Sequence, residues 1–301
     1  MNKSEAEYIL VSAAARQWNI SVRSIRHYCA QGRVEGAWIE GRSWKIPLDA
    51  QKPERSNRSP VAPSPLLCRL RKERESRVHG GAYHTVQVAL TYHSNRIEGS
   101  RLTEEQTRSI WETKTIENSP SPINVDDIII AVNHFRCIDL VIERSHRELS
   151  ESFILLLHQT LMRGTNRERT PWFVTGGYKR LSNEVGGIET TRPEDVKDAM
   201  VALLDDYNSR TVQDLDDLLE FHHRFETIHP FQDGNGRIGR LILFKECLKH
   251  HIVPFIITEE LKLFYYRGLA KWNTERGYLL DTALSAQDQF RQRLEYFRIP
   301  Y

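Results

Sequence analysis

Between residues 81 and 273 apolar side chains recur at every third or fourth position, interrupted by short polar turns, and no other feature of this 301-residue chain restricts its fold as tightly. The segments 81–96, 103–116, 125–145, 151–163, 193–208, 214–228, 237–251 and 258–273 all carry the pattern. A helix with one apolar face must bury it against a neighbour, and short turns bring consecutive helices side by side, so a helical bundle is predicted. One stretch, 172–191, departs from it. There Trp172-Phe-Val-Thr precedes Gly176 and Gly177, Tyr178-Lys-Arg-Leu follows, and Val185-Gly-Gly-Ile188 comes last. That composition suits a glycine-hinged β-hairpin better than a helix, although an ordinary surface loop would also accommodate it.

The densest chemistry falls between the sixth and seventh segments, in His229-Pro-Phe-Gln-Asp-Gly-Asn-Gly-Arg-Ile-Gly-Arg240. The run reads as a helix, a loop and a second helix whose N-terminus the loop caps. Free backbone N–H groups and a dipole end equivalent to roughly +0.5 charge favour an anion there, and glycine lets the backbone approach it closely. Arg237 and Arg240 share one helix face and can clamp phosphate oxygens as planar forks. A neutral imidazole with a reference pKa of about 6.5 suits His229 as a general base. Asp233 offers hard oxygen to Mg²⁺, which needs few protein ligands because phosphates and water complete its shell. Singly, each residue has a plainer reading: a satisfied histidine, solvated arginines, and core positions for Phe231, Ile238, Leu241, Ile242 and Leu248. The combination favours a phosphate-handling site.

The run resembles the signature H-x-F-x-(D/E)-G-N-G-R-x-x-R of the Fic family of nucleotidyl transferases, filled here by His229, Phe231, Asp233, Gly234, Asn235, Gly236, Arg237 and Arg240. The resemblance implies a Fic-type helical bundle, mainly α, that moves AMP from the co-substrate ATP to a protein hydroxyl with Mg²⁺. It makes His229 the base, Asp233 the metal carboxylate, and Gly234, Asn235, Gly236, Arg237 and Arg240 the phosphate contacts. It makes 172–191 a flap that pins an extended piece of the target by strand-like bonding, which is largely blind to side chains. Tyr265 and Tyr266 followed by Asn273 resemble a stretch lining the adenine end in related proteins, against the plainer reading of core aromatics. Lys249, His250 and His251 are read as cations at the negative end of the motif helix.

Upstream, Ser94-Asn-Arg-Ile-Glu98-Gly99 resembles the inhibitory motif (S/T)-x-x-x-E-(G/N) that some Fic proteins carry on a helix preceding the core. By itself the run reads as a helix end with Gly99 as its cap, followed by a capping box from Thr103 and Gln106. The resemblance implies an inhibitory helix near 81–99 in which Glu98 pairs with Arg240 and keeps it from the ATP γ-phosphate. In some family members the same glutamate assists removal of AMP, and other nucleotides or phosphocholine are transferred.

Residues 51–65 are rich in proline, serine and charge and read as a linker between a small domain, 1–50, and a Fic domain, 66–301. In the small domain Ser12 can cap a helix 13–18, Ser21 a second, 22–31, and two short strands flank Gly41. This layout resembles the winged helix-turn-helix of the MerR and excisionase type, with Arg23, Arg26, Arg42 and Lys45 as candidate DNA contacts. Residues 1–60 hold ten Lys and Arg against six Asp and Glu. A surplus of this size supports few phosphate contacts, so a protein-binding module stays open.

The net charge of +2 gives no bulk argument for nucleic acid or membrane, and no apolar run reaches spanning length. With no signal-peptide pattern at Met-Asn-Lys-Ser-Glu, a soluble cytoplasmic protein without membrane contact is expected. Cys29, Cys68, Cys137 and Cys247 lack C-x-x-C spacing and are expected to be mostly buried thiols. Two rival readings remain: a metal-dependent hydrolase using Glu220, His222, His223, Glu226, His229 and Asp233, and a DNA-binding regulator whose Fic-like domain senses nucleotide. Adjacent His222 and His223 point to different helix faces, which weakens the first. An intact base and metal carboxylate weaken the second. A homo-oligomer is left open.

Overall fold

The structure, a computed structural model, describes residues 8–18, 22–30, 34–41, 43–52, 62–116, 122–210 and 213–301. The expected turn at 19–20, the cap Ser21, Arg42, the side chain of Arg23 and most of the linker lie outside the described residues. The chain divides into two compact units, Met1–Ala62 and Pro63–Tyr301.

The first unit contains β1 (Tyr8–Leu10), α1 (Val11–Trp18), α2 (Val22–Ala30), β2 (Trp38–Glu40) and β3 (Ser43–Pro47). The strands form an antiparallel sheet in the order β1-β3-β2. Its middle strand sets Ile9 opposite Ile46 and Ile39 opposite Trp44. Val11, Ala14, Ala15, Trp18, Ile25, Cys29, Val34 and Ile46 form its own small core. Strand β1 was not expected, because three residues are too short to establish an alternation before α1 begins.

The second unit is helical: α3 (Pro65–Glu75), α4 (Ala82–Ile97), α5 (Glu104–Glu112), α6 (Val125–Arg144), α7 (Glu151–Met162), α8 (Val196–Ser209), α9 (Leu215–Ile228), α10 (Asn235–His250), α11 (Lys262–Lys271) and α12 (Gly277–Tyr296). Local signals account for several boundaries. Ser64 accepts from Leu67 N ahead of Pro65 at the start of α3, and Thr103 and Gln106 form a reciprocal capping box on α5. Gly99, at φ 94°, turns the chain after α4. Two helices escaped the periodicity reading. In α3 three leucines precede a charged tail, whereas α12 spaces Leu279, Ala283, Ala286, Phe290 and Leu294 at three and four and was legible.

Helix α10 lies at the centre, packed against α4, α6, α7 and α9. It is buried on nearly every side, which corrects the amphipathic reading of 237–251. Its polar side chains are buried in pairs instead: Lys245 meets Glu246 at 2.5 Å, and Tyr207 donates to Glu246 at 2.9 Å. Lys249 and His250 likewise pair with Glu246, at 3.6 and 3.2 Å, in addition to sitting at the helix end. The segment expected at 258–273 becomes helical only at Lys262, because Leu261 and Lys262 first close turns onto Thr258 and Glu259. In 172–191 the hairpin is narrower than expected, β4 (Glu184–Val185) pairing with β5 (Ile188–Glu189) across Gly186 and Gly187. Cys29, Cys137 and Cys247 are buried free thiols and Cys68 is exposed. Among the described residues no helix is long and apolar enough to cross a membrane.

Candidate active site

Helix α9 ends by placing His229 in the left-handed region, φ 49° and ψ 61°, with its backbone N–H donating to Phe225 O at 2.9 Å. The next five residues form a tight loop closed by the side chain of Asn235. The Asn235 side chain accepts from Phe231 N and donates to Phe231 O, both at 2.8 Å, while the Phe231 ring is fully buried. Gly234, at φ 88°, then starts α10 in a conformation that a side chain would strain. The first N–H groups of α10 are thereby left without intrahelical partners at a positive helix end. The Asn235 side-chain amide, expected among the phosphate contacts, is consumed by the loop.

An anion already lies at this helix end. A Cβ on Gly236 would contest the space that Glu98 Oε1 occupies, so glycine lets the carboxylate sit there without shifting. Glu98, the C-cap residue of α4, accepts from Arg240 Nη2 at 2.7 Å. Arg240 is 5% exposed and also donates through Nε to Ser94 Oγ at 3.0 Å and through Nη2 to Ser94 O at 2.9 Å. Burial pushes the Glu98 carboxyl up, but the Arg240 and Arg237 guanidiniums outweigh it and hold it below its ordinary value. Tyr265 is buried with its ring 5.9 Å from the Arg240 guanidinium and its hydroxyl 2.7 Å from His222 Nε2. Arg237 donates to Asp233 Oδ1 at 2.8 Å, and Arg167 stands 3.6 Å from Oδ2.

His229 Nδ1 faces Glu226 O at 3.4 Å, which assigns the ring proton to Nδ1 and leaves Nε2 as acceptor. Burial, together with the Lys179 ammonium, lowers its pKa to about 4, well under the ordinary value expected from sequence. The imidazole is therefore neutral at pH 7. Glu226 is pushed up to about 8 by burial and stands close to Arg240 and Glu98.

The loop is stitched to the 172–191 segment. Lys179 N donates to Pro230 O at 2.9 Å, Asn183 Nδ2 to Phe231 O at 3.2 Å and Leu181 N to Gln232 Oε1 at 3.2 Å. The buried Lys179 amine, lowered to about 8 by desolvation, donates to Asn183 Oδ1, Thr190 Oγ1 and Ile228 O. Position 172–191 was the only sequence signal for these contacts; nothing local singled out Lys179 or His158, and Glu226 entered only through the hydrolase reading.

The structure brings together His229, Asp233, Gly234, Asn235, Gly236, Arg237, Arg240, Glu98 and Tyr265. Tyr266 is 40% exposed beside Tyr265, and Asn273 is exposed in the turn after α11. The hydrolase cluster does not assemble. Glu220 is taken by Trp272 Nε1 and Arg276, His222 by Tyr265, and among the described residues no group of three or more His, Cys, Asp or Glu side chains could hold a metal ion. Asp233 remains a fit for a cation recruited with phosphates, being a hard-oxygen donor that is partly exposed at the loop.

A histidine acceptor beside an anion-binding helix end is the equipment of a site that handles phosphate esters. Residues 148–246 match the family model described as Fic/DOC family. Protein adenylyltransferase fic-1 of Caenorhabditis elegans is 29% identical over 189 residues, covering 59% of this chain and 35% of the relative. A probable protein adenylyltransferase of Aquifex aeolicus is 27% identical over 156 residues, 47% of each chain. The chain thus spans about a third of the length of the nematode relative it matches. A Fic domain containing signaling protein from Bacteroides thetaiotaomicron shares the fold with a TM-score of 0.61 at 22% identity, covering 76% of this chain and 94% of that one. Fic-1 of C. elegans does so with a TM-score of 0.60 at 20% identity, covering 77% and 72%.

Proposed function

We propose that the chain is a protein adenylyltransferase that moves AMP from ATP to a protein hydroxyl and that Glu98 restrains it. The observation carrying this reading is the single constellation of a neutral His229, the open N-terminus of α10, and Arg240 engaged by a carboxylate that a γ-phosphate would have to displace. Relatives named protein adenylyltransferases support it.

In the proposed reaction His229 Nε2 takes the proton of the acceptor hydroxyl. That oxygen attacks the α-phosphorus in line, the bond to the β-phosphate oxygen breaks, and pyrophosphate leaves. The N–H groups at the start of α10 and the Arg237 guanidinium bind the phosphates, and Arg240 binds the γ-phosphate once Glu98 has swung away. Mg²⁺, held by Asp233 and the phosphates, would supply Lewis-acid stabilisation of the charge on the phosphoryl oxygens. Binding it requires Asp233 to exchange its arginine contacts. The strand pair at 184–189, with Val185 exposed, is the proposed docking edge for an extended target segment.

For the first unit the proposed role is DNA binding in a winged helix-turn-helix. The order helix, helix, antiparallel hairpin and the exposed Arg26 on α2 support it. Lys45 pairs with Glu40 at 3.0 Å and would have to leave it to reach a phosphate.

The test is mass spectrometry of the protein incubated with ATP and Mg²⁺, comparing wild type, Glu98→Gly and Glu98→Gly with His229→Ala. A mass increase of one AMP in the second and none in the third is expected, since losing a general base removes a factor of roughly 10² to 10⁴ in rate. Equal modification with and without His229 would exclude it as the base.

A further inference from the structure

His158, on α7, is fully buried and belongs to none of the groups that handle phosphate in the proposed reaction. Its ring lies flat on Phe231, with centroids 4.0 Å apart and planes 2° from parallel. The two ring nitrogens face different walls of the site. Nδ1 lies 3.0 Å from Gly176 N, inside the flap segment, and Nε2 lies 3.2 Å from Asp233 O, just ahead of α10.

A nitrogen facing an N–H must accept, and one facing a carbonyl must donate. The neutral ring with its proton on Nε2 is therefore the form that satisfies both contacts. Protonation would set an Nδ1–H against the Gly176 N–H, and the opposite tautomer would break both bonds. Both partners are fixed points of the backbone. Gly176 is at φ 76°, and a Cβ there would stand 2.9 Å from Gln159 Cβ. Asp233 carries the carboxylate contacted by Arg237 and Arg167.

We propose that His158 is a positioning residue that clamps the flap hinge at Gly176 and the Asp233 loop at once, as the neutral Nε2–H tautomer. Its action rests on the adenylyl-transfer reading: with both walls held by one rigid ring, the acceptor hydroxyl from the flap side and the phosphates from the α10 side meet at His229 in register. It does not touch substrate, and its effect passes through Asp233 and Gly176.

The two arms separate by substitution. His158→Asn can offer an oxygen near the Nδ1 position and not reach Asp233; His158→Gln can offer an N–H near the Nε2 position and not serve Gly176. His158→Phe keeps the stack on Phe231 and loses both bonds. Each is made in the full chain carrying Glu98→Gly and checked for folding by circular dichroism. Three readouts are taken: the Mg²⁺ dependence of binding of a non-transferable ATP analogue by calorimetry, amide hydrogen exchange across 174–190, and the initial rate of AMP transfer.

His158→Phe is expected to raise the Mg²⁺ concentration for half-maximal analogue binding roughly tenfold or more. It should also speed exchange across 174–190 and slow transfer. His158→Gln should recover the Mg²⁺ dependence alone, and His158→Asn the slow exchange alone. If all three folded variants keep the parent's Mg²⁺ dependence and exchange, His158 is a core histidine and the clamp is overturned. A ¹⁵N imidazole spectrum of the unsubstituted protein tests the tautomer directly, even where a variant does not fold. A neutral Nε2–H ring at pH 7 supports the clamp, and an Nδ1–H or charged ring overturns it. A parent protein that transfers no AMP would defeat the proposed function, whereas binding, exchange and tautomer would still decide the clamp.

Discussion

Replacing Glu98 with glycine perturbs stability and activity in opposite directions. Arg240 would lose the carboxylate at 2.7 Å and keep Ser94 O and Oγ, so a guanidinium only 5% exposed would be left without its counter-charge. Removing one partner of a fully buried pair costs about 3–5 kcal/mol. The Glu98 side chain is 25% exposed and partly screened by water, which reduces the cost to about 2 kcal/mol. For a domain of this size that lowers Tm by roughly 4–8 °C. On the proposed reading the carboxylate also competes with the γ-phosphate, and losing a competitor worth about 2–3 kcal/mol would raise productive ATP binding roughly 30- to 140-fold. Moving a two-state site from one to ninety-nine per cent competent requires about 5.5 kcal/mol, so wild type is expected to be strongly inhibited yet leaky. The assay is initial AMP transfer from α-labelled ATP for wild type, Glu98→Gly, Arg240→Ala and the double mutant. The gain should vanish when Arg240 is absent, and the cycle yields the coupling. Equal rates for wild type and Glu98→Gly, with ATP well below saturation and an acceptor present, would refute the competition and leave Glu98 as a helix-end carboxylate.

Gly236→Ala drives a Cβ into Glu98 Oε1 and to 2.9 Å from Arg240 Nη1, so it should break the same ion pair while crowding the anion site. Calorimetry should therefore show destabilisation without the gain in ATP binding seen for Glu98→Gly; a gain would mean the helix end is not the phosphate site. His134, His158, His222 and His229 are lowered by burial to about 3, 4, 3 and 4. Below their ordinary value the unfolded chain binds protons that the folded chain refuses, so their stabilisation is full above about pH 6.5 and is lost as pH falls toward 4, at up to about 1.4 kcal/mol per group per pH unit. Glu226, raised to about 8, acts oppositely and offsets one of the four in that window. Urea midpoints should fall steeply between pH 6.5 and 5, and a flat series would mean these rings are hydrated. Deleting residues 1–60 should leave AMP transfer intact, because the family match and the assembled site residues lie in the second unit. A truncated protein that folds but cannot transfer AMP would show that the first unit completes the site.

What the chain determines locally is legible in its letters, because helix hydrogen bonds and caps join residues three or four apart. The apolar spacing of 125–145 and 151–163, the reciprocal box of Thr103 and Gln106, and the glycine turn after α4 all follow from near neighbours. The motif around His229 is likewise contiguous, since a loop that must close onto a helix end keeps its parts in one stretch. The pairing of Glu98 with Arg240 came from family resemblance, as no local rule joins side chains 142 positions apart. Packing alone decided the rest. It buried α10 on all sides, spent the Asn235 amide on Phe231, and lowered the His229 pKa by removing water from around the ring. It also set His158 between Gly176 and Asp233. Desolvation and the convergence of distant segments are properties of the folded interior, so the same residues read along the chain carried no sign of either.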